Sequence, residues 1–297
     1  MKMVFCMFLA TVAVLAFNVS YLHSSVSKEG FSGGNKYKTT KYDDDDYDED
    51  YADYDDFDEK NASSSSSSSS SITIPKIIIQ TWKDNYIPTR YEALVKSVRQ
   101  KNPNYKHLFF TDNDIEKFLQ QYYPQYYQTF LQLPVVIQKI DFFRYVAVYH
   151  FGGFYLDLDM QCLKSFDSLL DYQCVFPVDL HITSVMCVVP RFMQSCHNNE
   201  DIFIGQYAFG AEPKNEFIKV LIDNIHNKMK LILRMYAQLQ NKRDLQFVYT
   251  TTGPDYVTKQ YFAYHNKAQI TVLQHERDQY FGKFAAHKAM GTWKGWV

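Results

Sequence analysis

Apolar and polar positions change period along the chain, and the changes predict strands that alternate with helices. The run ITIPKIIIQTW at residues 72–82 is rich in β-branched residues, which is typical of a buried strand. A helix is predicted after Pro88, because Leu94, Val95 and Val98 recur at helical spacing before the sequence KNPNY ends it. A strand followed directly by a helix is the repeating unit of an α/β domain.

The same order continues downstream. The sequence KHLFFT at residues 106–111 predicts a second strand, and DNDIEKFLQQYY predicts a helix for which Asp112 is the expected N-cap. A longer helix is predicted to start at Pro134 and to end at Gly152, and on it Asp141 and Arg144 share a face. This alternation implies an α/β fold with a mainly parallel sheet, and such sheets bind ligands at the carboxyl ends of their strands.

The sequence GGFYLDLDM at residues 152–160 predicts a third strand, which carries two acids. Because successive side chains of a strand point to opposite faces, Tyr155, Asp157 and Asp159 are expected on one face and the apolar residues on the other. Two carboxylates roughly 7 Å apart at Cα can converge on one divalent cation, and oxygen ligands favour Mg²⁺, Mn²⁺ or Ca²⁺ over zinc. A D-x-D pattern alone is a weak signal, but the glycine turn before it and the preceding helix with its Asp and Arg strengthen the prediction of a cation site.

The region after residue 176 is less regular. The sequence FPVDLHITS contains Asp179 and His181, which border a ligand site in one interpretation, although their spacing does not require it. Residues 213–239 have the period of one long amphipathic helix, and residues 251–262 predict a turn that leads into another helix.

Cysteine usage leaves two interpretations open. Four cysteines of this region, Cys162, Cys174, Cys187 and Cys196, allow two disulfides with three pairings, which fits an oxidising compartment. Free buried thiols are the alternative, and the cysteine spacings match no zinc motif.

Charge is distributed unevenly along the chain. Residues 43–59 hold twelve acids and residues 63–71 are nine consecutive serines, so residues 23–71 are predicted to form a disordered stem. Residues 72–297 hold 25 lysines and arginines against 20 acids and are predicted to form the folded domain. The mild positive charge suits a small anionic ligand, and the lack of a basic stripe with interleaved aromatics argues against nucleic acid as a partner.

The N-terminal sequence MKMVFCMFLATVAVLAFNVSYL, residues 1–22, is mostly apolar and close to the length that crosses a bilayer. We favour an uncleaved signal anchor with Lys2 in the cytoplasm, because a tethered domain needs a spacer to stand off the membrane. A cleaved signal peptide that ends near SVS at residues 25–27 is the alternative. The chain is therefore predicted to be a single-pass type II membrane protein with its domain in the lumen of the Golgi or ER, or a secreted protein if the signal is cleaved.

The folded region resembles the glycosyltransferase family whose sugar-binding region contains a DXD motif. The resemblance is carried by IPKIIIQTW, NPNYKHLFFTDNDIEKFL, IDFFRYVAVYHFGGFYLDLDMQCLKSFDSLL and AAHKAMGTW, and it is densest over residues 137–170. The combination D-x-x-R-Y followed by G-G-x-Y-x-D-x-D, in this order and spacing, is a strong signal. The family includes yeast-type initiating α-1,6-mannosyltransferases and, more distantly, the large clostridial glucosylating toxins.

This resemblance implies a GT-A type nucleotide-diphospho-sugar transferase fold, with a Rossmann-like mixed, mainly parallel sheet flanked by helices. Asp157 and Asp159 would hold Mn²⁺ or Mg²⁺ and, through it, the diphosphate of a nucleotide-sugar donor. Asp141 and Arg144 would contact and orient the donor sugar, with Tyr155 beside them. Without the resemblance, Asp141 and Arg144 would be interpreted as an ion pair on a helix surface.

The same resemblance implies further contacts to the donor. Trp82 would stack against the nucleotide base, although an ordinary core aromatic is the alternative interpretation. His287 and Trp293 would close over the diphosphate. Family members commonly have histidine where this chain has Ile79. Any contribution of that histidine to the donor site would be missing here.

Together these features predict a metal-dependent, retaining glycosyltransferase that moves a hexose or N-acetylhexosamine from a UDP- or GDP-sugar to a hydroxyl of a glycan or protein. Retention follows from the resemblance, and the lack of an obvious acceptor base or nucleophile in the sequence is compatible with front-face transfer. The alternative is a non-catalytic nucleotide-sugar or carbohydrate-binding protein on the same fold. A glycoside hydrolase is disfavoured, because its acid and base lie on opposite sides of the scissile bond.

Overall fold

The structure is a computed structural model and describes residues 74–276 and 279–290. The predicted signal anchor, the predicted stem and Trp293 lie outside the described residues. Within the described ranges, no helix is both long enough and apolar enough to span a membrane.

Nine strands are found in the described part of the chain, and seven of them form one mixed sheet. They are β1 (Ile77–Thr81), β2 (Lys106–Phe110), β3 (Gly153–Leu156), β4 (Met160–Cys162), β5 (Cys174–His181), β6 (Ile202–Ile204), β7 (Ala208–Ala211), β8 (Ile270–Leu273) and β9 (Ala285–His287). The strand order in the sheet is β2-β1-β3-β7-β5-β6, and β8 also pairs with β5. Strands β1, β2, β3, β5 and β8 run in one direction and β6 and β7 in the other. The predicted mixed, mainly parallel sheet is therefore confirmed.

The helices of the described ranges connect and flank these strands. They are α1 (Thr89–Lys101), α2 (Asp112–Tyr122), α3 (Pro124–Gln132), α4 (Val136–Phe151), α5 (Pro190–His197), α6 (Glu216–Asn227), α7 (Met229–Gln238), α8 (Leu245–Thr251) and α9 (Pro254–Ala263). Helix α4 is enclosed on nearly all sides, because eleven of its sixteen residues are buried. Its Phe143 packs edge-on against Phe110 of β2, and both belong to the main apolar core. Polar residues of α4 therefore lie inside the protein, and the interpretation of Asp141 and Arg144 as a surface ion pair is wrong.

Two sequence expectations about helices need correction. The N-cap of α2 is Thr111, not Asp112, because Thr111 and Asp114 bond each other's backbone N–H in a capping box. The long helix expected over residues 213–239 is two helices, since the backbone of Lys228 leaves α geometry between α6 and α7.

Two of the four cysteines form a disulfide and the other two are free thiols, so each interpretation holds for one pair. Cys187 and Cys196 form a disulfide that joins the 3₁₀ turn Ser184–Val188 to α5. Cys162 and Cys174 are free and buried, and burial raises the pKa of the Cys162 thiol to about 11.

The small sheet formed by β4 and β9 determines what lies beside the acidic sequence. Its two strands are antiparallel, and Met160 pairs with His287 while Cys162 pairs with Ala285. This pairing places β9, which comes late in the chain, beside β4, the strand that directly follows Asp157 and Asp159. Residues that are distant in the sequence thereby meet at one edge of the main sheet.

Candidate active site

Strand β3 enters the site through Gly152 and Gly153, whose φ angles are +68° and +84°. A Cβ on Gly153 would lie 2.4 Å from the backbone oxygen of Ile77, so only glycine lets β3 approach β1 this closely. The strand then pairs with β1 on one side and β7 on the other. The backbone of the acidic segment is therefore held by two neighbouring strands up to the point where it turns.

The two acids do not lie on a strand, which corrects the sequence expectation. Strand β3 ends at Leu156, and residues 157–159 form a turn before β4. The turn is closed by a hydrogen bond from Met160 N to Asp157 O at 3.1 Å, and Asp157 N donates to Tyr207 O at 2.8 Å. A turn brings both carboxylates to one place more directly than strand alternation would.

Asp157, Asp159 and His287 form a cluster that could hold a metal ion. One ligand atom from each lies within 4.8 Å of the others. The His287 Nε2 is 3.3 Å from Asp159 Oδ1, and Met290 N donates to Asp159 Oδ2 at 3.0 Å. Two carboxylates and one imidazole fit a divalent cation such as Mn²⁺, for which oxygen and imidazole are both suitable ligands.

The charges of this cluster are strongly coupled. Burial disfavours the carboxylate of Asp159, but hydrogen bonds from His287 and Met290 outweigh burial and hold the pKa of Asp159 below its ordinary value. Burial likewise disfavours the imidazolium of His287, yet Asp159 raises its pKa. Burial raises the pKa of Asp157, although the charge of Arg144 acts in the opposite direction. The turn therefore concentrates negative charge, which a bound cation would neutralise.

Arg144 joins the acidic turn to helix α4. Its NH2 group lies 3.3 Å from both Asp141 Oδ1 and Asp157 Oδ1. Its NH1 group donates to Gln206 O at 3.0 Å, and its guanidinium lies over the ring of Tyr155 at 4.6 Å. Burial disfavours the charge of Arg144, but Asp157 and Asp141 outweigh it and raise the pKa, so the guanidinium stays charged. Its buried Nε has no hydrogen-bond partner among the described residues.

Asp141 is fixed from the opposite side by residues that the sequence did not single out. Thr252 Oγ1 donates to Asp141 Oδ2 at 2.8 Å, and Gln206 Nε2 donates to Oδ1 at 3.1 Å. Gln206 also accepts a short hydrogen bond from the hydroxyl of Tyr145. These contacts join helix α4 to segments far along the chain, and no spacing pattern in the sequence indicates them.

The remaining sequence-predicted site residues lie around this centre. Tyr155 is 1% exposed, and its hydroxyl donates to Asp157 Oδ1 at 2.9 Å, so it supports the acidic turn from within the core. Trp82 is half-buried after β1, with its ring 5.3 Å from that of Tyr91, in an apolar cluster that also contains Leu158 of the acidic turn. Trp82 thus packs beside the turn, and its contact with a nucleotide base stays a prediction.

Two further observations concern His287 and Ile79, the second of which stands where family members commonly have histidine. The ring of Tyr207 stacks on His287 with centroids 4.4 Å apart, which fixes the plane of the imidazole. Ile79 is fully buried in the main apolar core, so it acts as a packing residue at this position.

Residues 88–176 match the family model described as a glycosyltransferase sugar-binding region containing a DXD motif. Inositol phosphoceramide mannosyltransferase 1 from Schizosaccharomyces pombe is 30% identical over 194 residues, which cover 64% of this chain and 52% of that protein. The initiation-specific alpha-1,6-mannosyltransferase from Candida albicans is 36% identical over 100 residues, 31% of this chain and 26% of that protein. The family resemblance predicted from the sequence is therefore confirmed. The chain spans about half the length of the first of these relatives and less of the second.

Among solved structures, the PaToxG glycosyltransferase aligns with a TM-score of 0.45 at 18% identity, over 64% of this chain and 70% of that chain.

Proposed function

We propose that this protein, whose residues 88–176 carry the DXD-containing sugar-binding region of a glycosyltransferase family, is a metal-dependent retaining glycosyltransferase. It would move a hexose or N-acetylhexosamine from a nucleotide-sugar donor to a hydroxyl. Mannose is the first sugar to test, because the relatives named above are mannosyltransferases. Since one of them is named for inositol phosphoceramide, polyol headgroups join glycans and proteins as acceptor candidates.

The convergence of Asp157, Asp159 and His287 beside a buried Arg144 is the observation that carries the proposal. Asp157 and Asp159, with His287, would hold Mn²⁺ or Mg²⁺. When bound, the cation would neutralise charge that develops on the leaving diphosphate of the donor. With a cation bound, this cluster and the buried guanidinium of Arg144 beside it would suit an anionic ligand better than a neutral one.

Helix α4 would position the donor sugar. The Arg144 guanidinium is held on one side by Asp141 and Asp157, and its Nε has no partner in the part of the chain that the structure describes. Asp141 in turn is held by Thr252 and Gln206. Side chains that are locked before the ligand arrives lose little freedom when it binds, so their geometry is available to the transition state.

Localisation and topology remain part of the proposal. A disulfide between Cys187 and Cys196 suits an oxidising secretory lumen. The predicted membrane attachment rests on residues 1–22, which the structure does not describe.

The test uses the full chain with GDP-mannose and a panel of UDP-sugars, with Mn²⁺ or Mg²⁺ present, and measures nucleotide release and the anomer of the product. We expect release with one donor class and a loss of about 100-fold or more in Asp157→Ala and Asp159→Ala. The matched control is Asp171→Ala, because Asp171 is an exposed carboxylate outside the cluster. Unchanged activity in Asp157→Ala and Asp159→Ala would contradict the proposal. Calorimetric binding of a nucleotide sugar without any turnover would favour the non-catalytic alternative.

A further inference from the structure

Asp179 lies at an irregularity of strand β5. Val178 pairs with Ile204 and Leu180 pairs with Phe203, so β5 has one more residue than β6 between these two pairs, and that residue is Asp179. A β-bulge of this kind bends the strand and changes the direction of a side chain, and bulges are common next to active sites. The position of Asp179 thus has a structural cause that its sequence spacing did not reveal.

The strand directions place Asp179 at the same edge of the sheet as the acidic turn. Strand β7 lies between β3 and β5 and is antiparallel to both, so β3 and β5 run in the same direction. The carboxyl end of β3 leads into Asp157, and the carboxyl end of β5 contains Asp179.

A chain of contacts joins the bulge to the metal-ligand cluster. The carbonyl of Val178, the residue before Asp179, accepts a hydrogen bond from the Tyr207 hydroxyl at 3.4 Å, and it also bonds His275 Nε2. The Tyr207 ring stacks on His287, which contacts Asp159. Asp179 therefore follows Val178, whose carbonyl bonds Tyr207, and Tyr207 packs against the proposed metal ligand His287.

Asp179 has cationic neighbours but no direct partner. It is half-buried, and its carboxylate makes no hydrogen bond or ion pair within the described ranges. Burial raises its pKa, and the charges of Arg191, His287 and His275 oppose this effect. Arg191 forms its ion pair with Asp255 and not with Asp179, because its Nε lies 3.1 Å from Asp255 Oδ2 and its NH2 lies 2.5 Å from Asp255 Oδ1. A partly buried carboxylate without a hydrogen bond from the protein depends on water or on a ligand to supply one, and a ligand that does so replaces that water.

We propose that Asp179 binds the acceptor, as the carboxylate that accepts a hydrogen bond from a hydroxyl of a polyol or sugar and holds that hydroxyl beside the acidic turn. This inference rests on the proposed transferase function. A hydroxyl donor is the ligand that suits the site, because hydrogen bonds to a charged carboxylate are stronger than those to neutral groups. An aliphatic alcohol chain alone would leave the second carboxylate oxygen unsatisfied, whereas neighbouring hydroxyls of a polyol satisfy both.

The test compares two reactions of the full chain with the same donor and Mn²⁺. The first is nucleotide release to water without acceptor, and the second is transfer to myo-inositol or methyl α-mannoside as acceptor probes. In Asp179→Asn we expect release to water within about twofold of wild type and transfer reduced by about 10- to 100-fold, mainly through the acceptor KM. Asp179→Glu, which displaces the carboxylate by one methylene, is the second variant and should also raise the acceptor KM. The control is Asp201→Asn, which changes an exposed carboxylate just before β6.

The outcomes separate this inference from the function on which it rests. Equal losses of release to water and transfer in both Asp179 variants would overturn the inference, because the carboxylate would then serve the donor, the metal or the fold. Unchanged transfer would overturn it as well. Wild-type protein that releases nucleotide to water but transfers to neither probe would overturn the polyol class. Absence of any nucleotide release by wild type would instead refute the proposed function, and the inference with it.

Discussion

Arg144 determines the charge balance of the site at the scale of single residues. It is 3% exposed, and it faces the carboxylates of Asp141 and Asp157 at equal distances of 3.3 Å. A buried ion pair adds little net stability compared with apolar packing, but removing one partner leaves an uncompensated buried charge. Arg144 is thus needed to keep the carboxylates of Asp141 and Asp157 ionised at this position, independently of any contact that it makes with a ligand.

Arg144→Met is expected to lower the free energy of unfolding by about 3–5 kcal/mol, because it removes the only cation that the described contacts show beside buried Asp141. Urea titration followed by circular dichroism measures the loss. Lys219→Met is the matched control, since Lys219 pairs with Asp223 at 2.6 Å but both side chains are 39% exposed. The control should lose about 1 kcal/mol or less. Losses of similar size in the two variants would contradict the view that burial sets the cost.

Single residues differ in how far the sequence revealed them. Asp141, Arg144, Asp157 and Asp159 could be named because they stand in a motif with fixed order. Gln206, Thr252 and Tyr207 could not, since each reaches the site through tertiary contacts with residues far away in the chain. Their side chains carry no pattern that distinguishes them from other polar residues before the fold is known.

Strand β3 is the element that aims the acidic turn, and its first residue limits what the sequence can contain. Gly153 combines a φ of +84° with a Cβ position 2.4 Å from Ile77 O. The close pairing of β3 with β1 leaves no room for a Cβ at this position, so any residue other than glycine would disturb it.

Gly153→Ala is expected to destabilise the protein by more than about 2 kcal/mol, because alanine adds left-handed backbone strain and a backbone clash. Gly282→Ala is the control, since Gly282 also has a positive φ of +50° but its Cβ would meet nothing closer than 3.5 Å. The control should lose about 1–2 kcal/mol from strain alone. Thermal or urea unfolding of the two variants provides the comparison, and a larger loss in Gly282→Ala would show that the clash is relieved by local movement.

At this scale the sequence predicted the kind and order of most elements better than their ends. The alternating period identified β1, α1, β2 and α4, because apolar residues repeat regularly there. It extended the acidic strand too far, since alternation of Leu156, Asp157, Leu158 and Asp159 is equally compatible with a turn closed by Met160 N and Asp157 O. It also missed the end of α6 at Asn227, because the apolar residues Ile225, Met229 and Ile232 keep helical spacing across the break.

The site as a whole is completed by segments from the middle and from the C-terminal part of the described chain. The motif segment after β3 supplies the two acids, and β9 supplies His287 through its pairing with β4. Strand β5 adds the Asp179 bulge, and the residue just before β7 adds Tyr207, both from farther along the sequence than the acids. A ligand that engages the acids and His287 together would therefore tie the C-terminal strand to the central sheet, and binding should be measurable as stability of the entire fold.

Mn²⁺ is expected to stabilise the full chain because it binds the folded cluster and not the unfolded chain. At a concentration 100 times its Kd, a ligand of this kind adds about 2.7 kcal/mol, which for a domain of this size raises Tm by roughly 5–10 °C. The shift should disappear with EDTA and in Asp159→Ala, and it should persist in Asp171→Ala. His287→Ala should keep part of the shift, since two carboxylates remain. Differential scanning fluorimetry with and without GDP or UDP measures these effects, and the nucleotide should add a further shift only when Mn²⁺ is present. An undiminished Mn²⁺ shift in Asp159→Ala would mean that the cation binds elsewhere, and a nucleotide shift without Mn²⁺ would mean that the diphosphate is held by the protein's own cations.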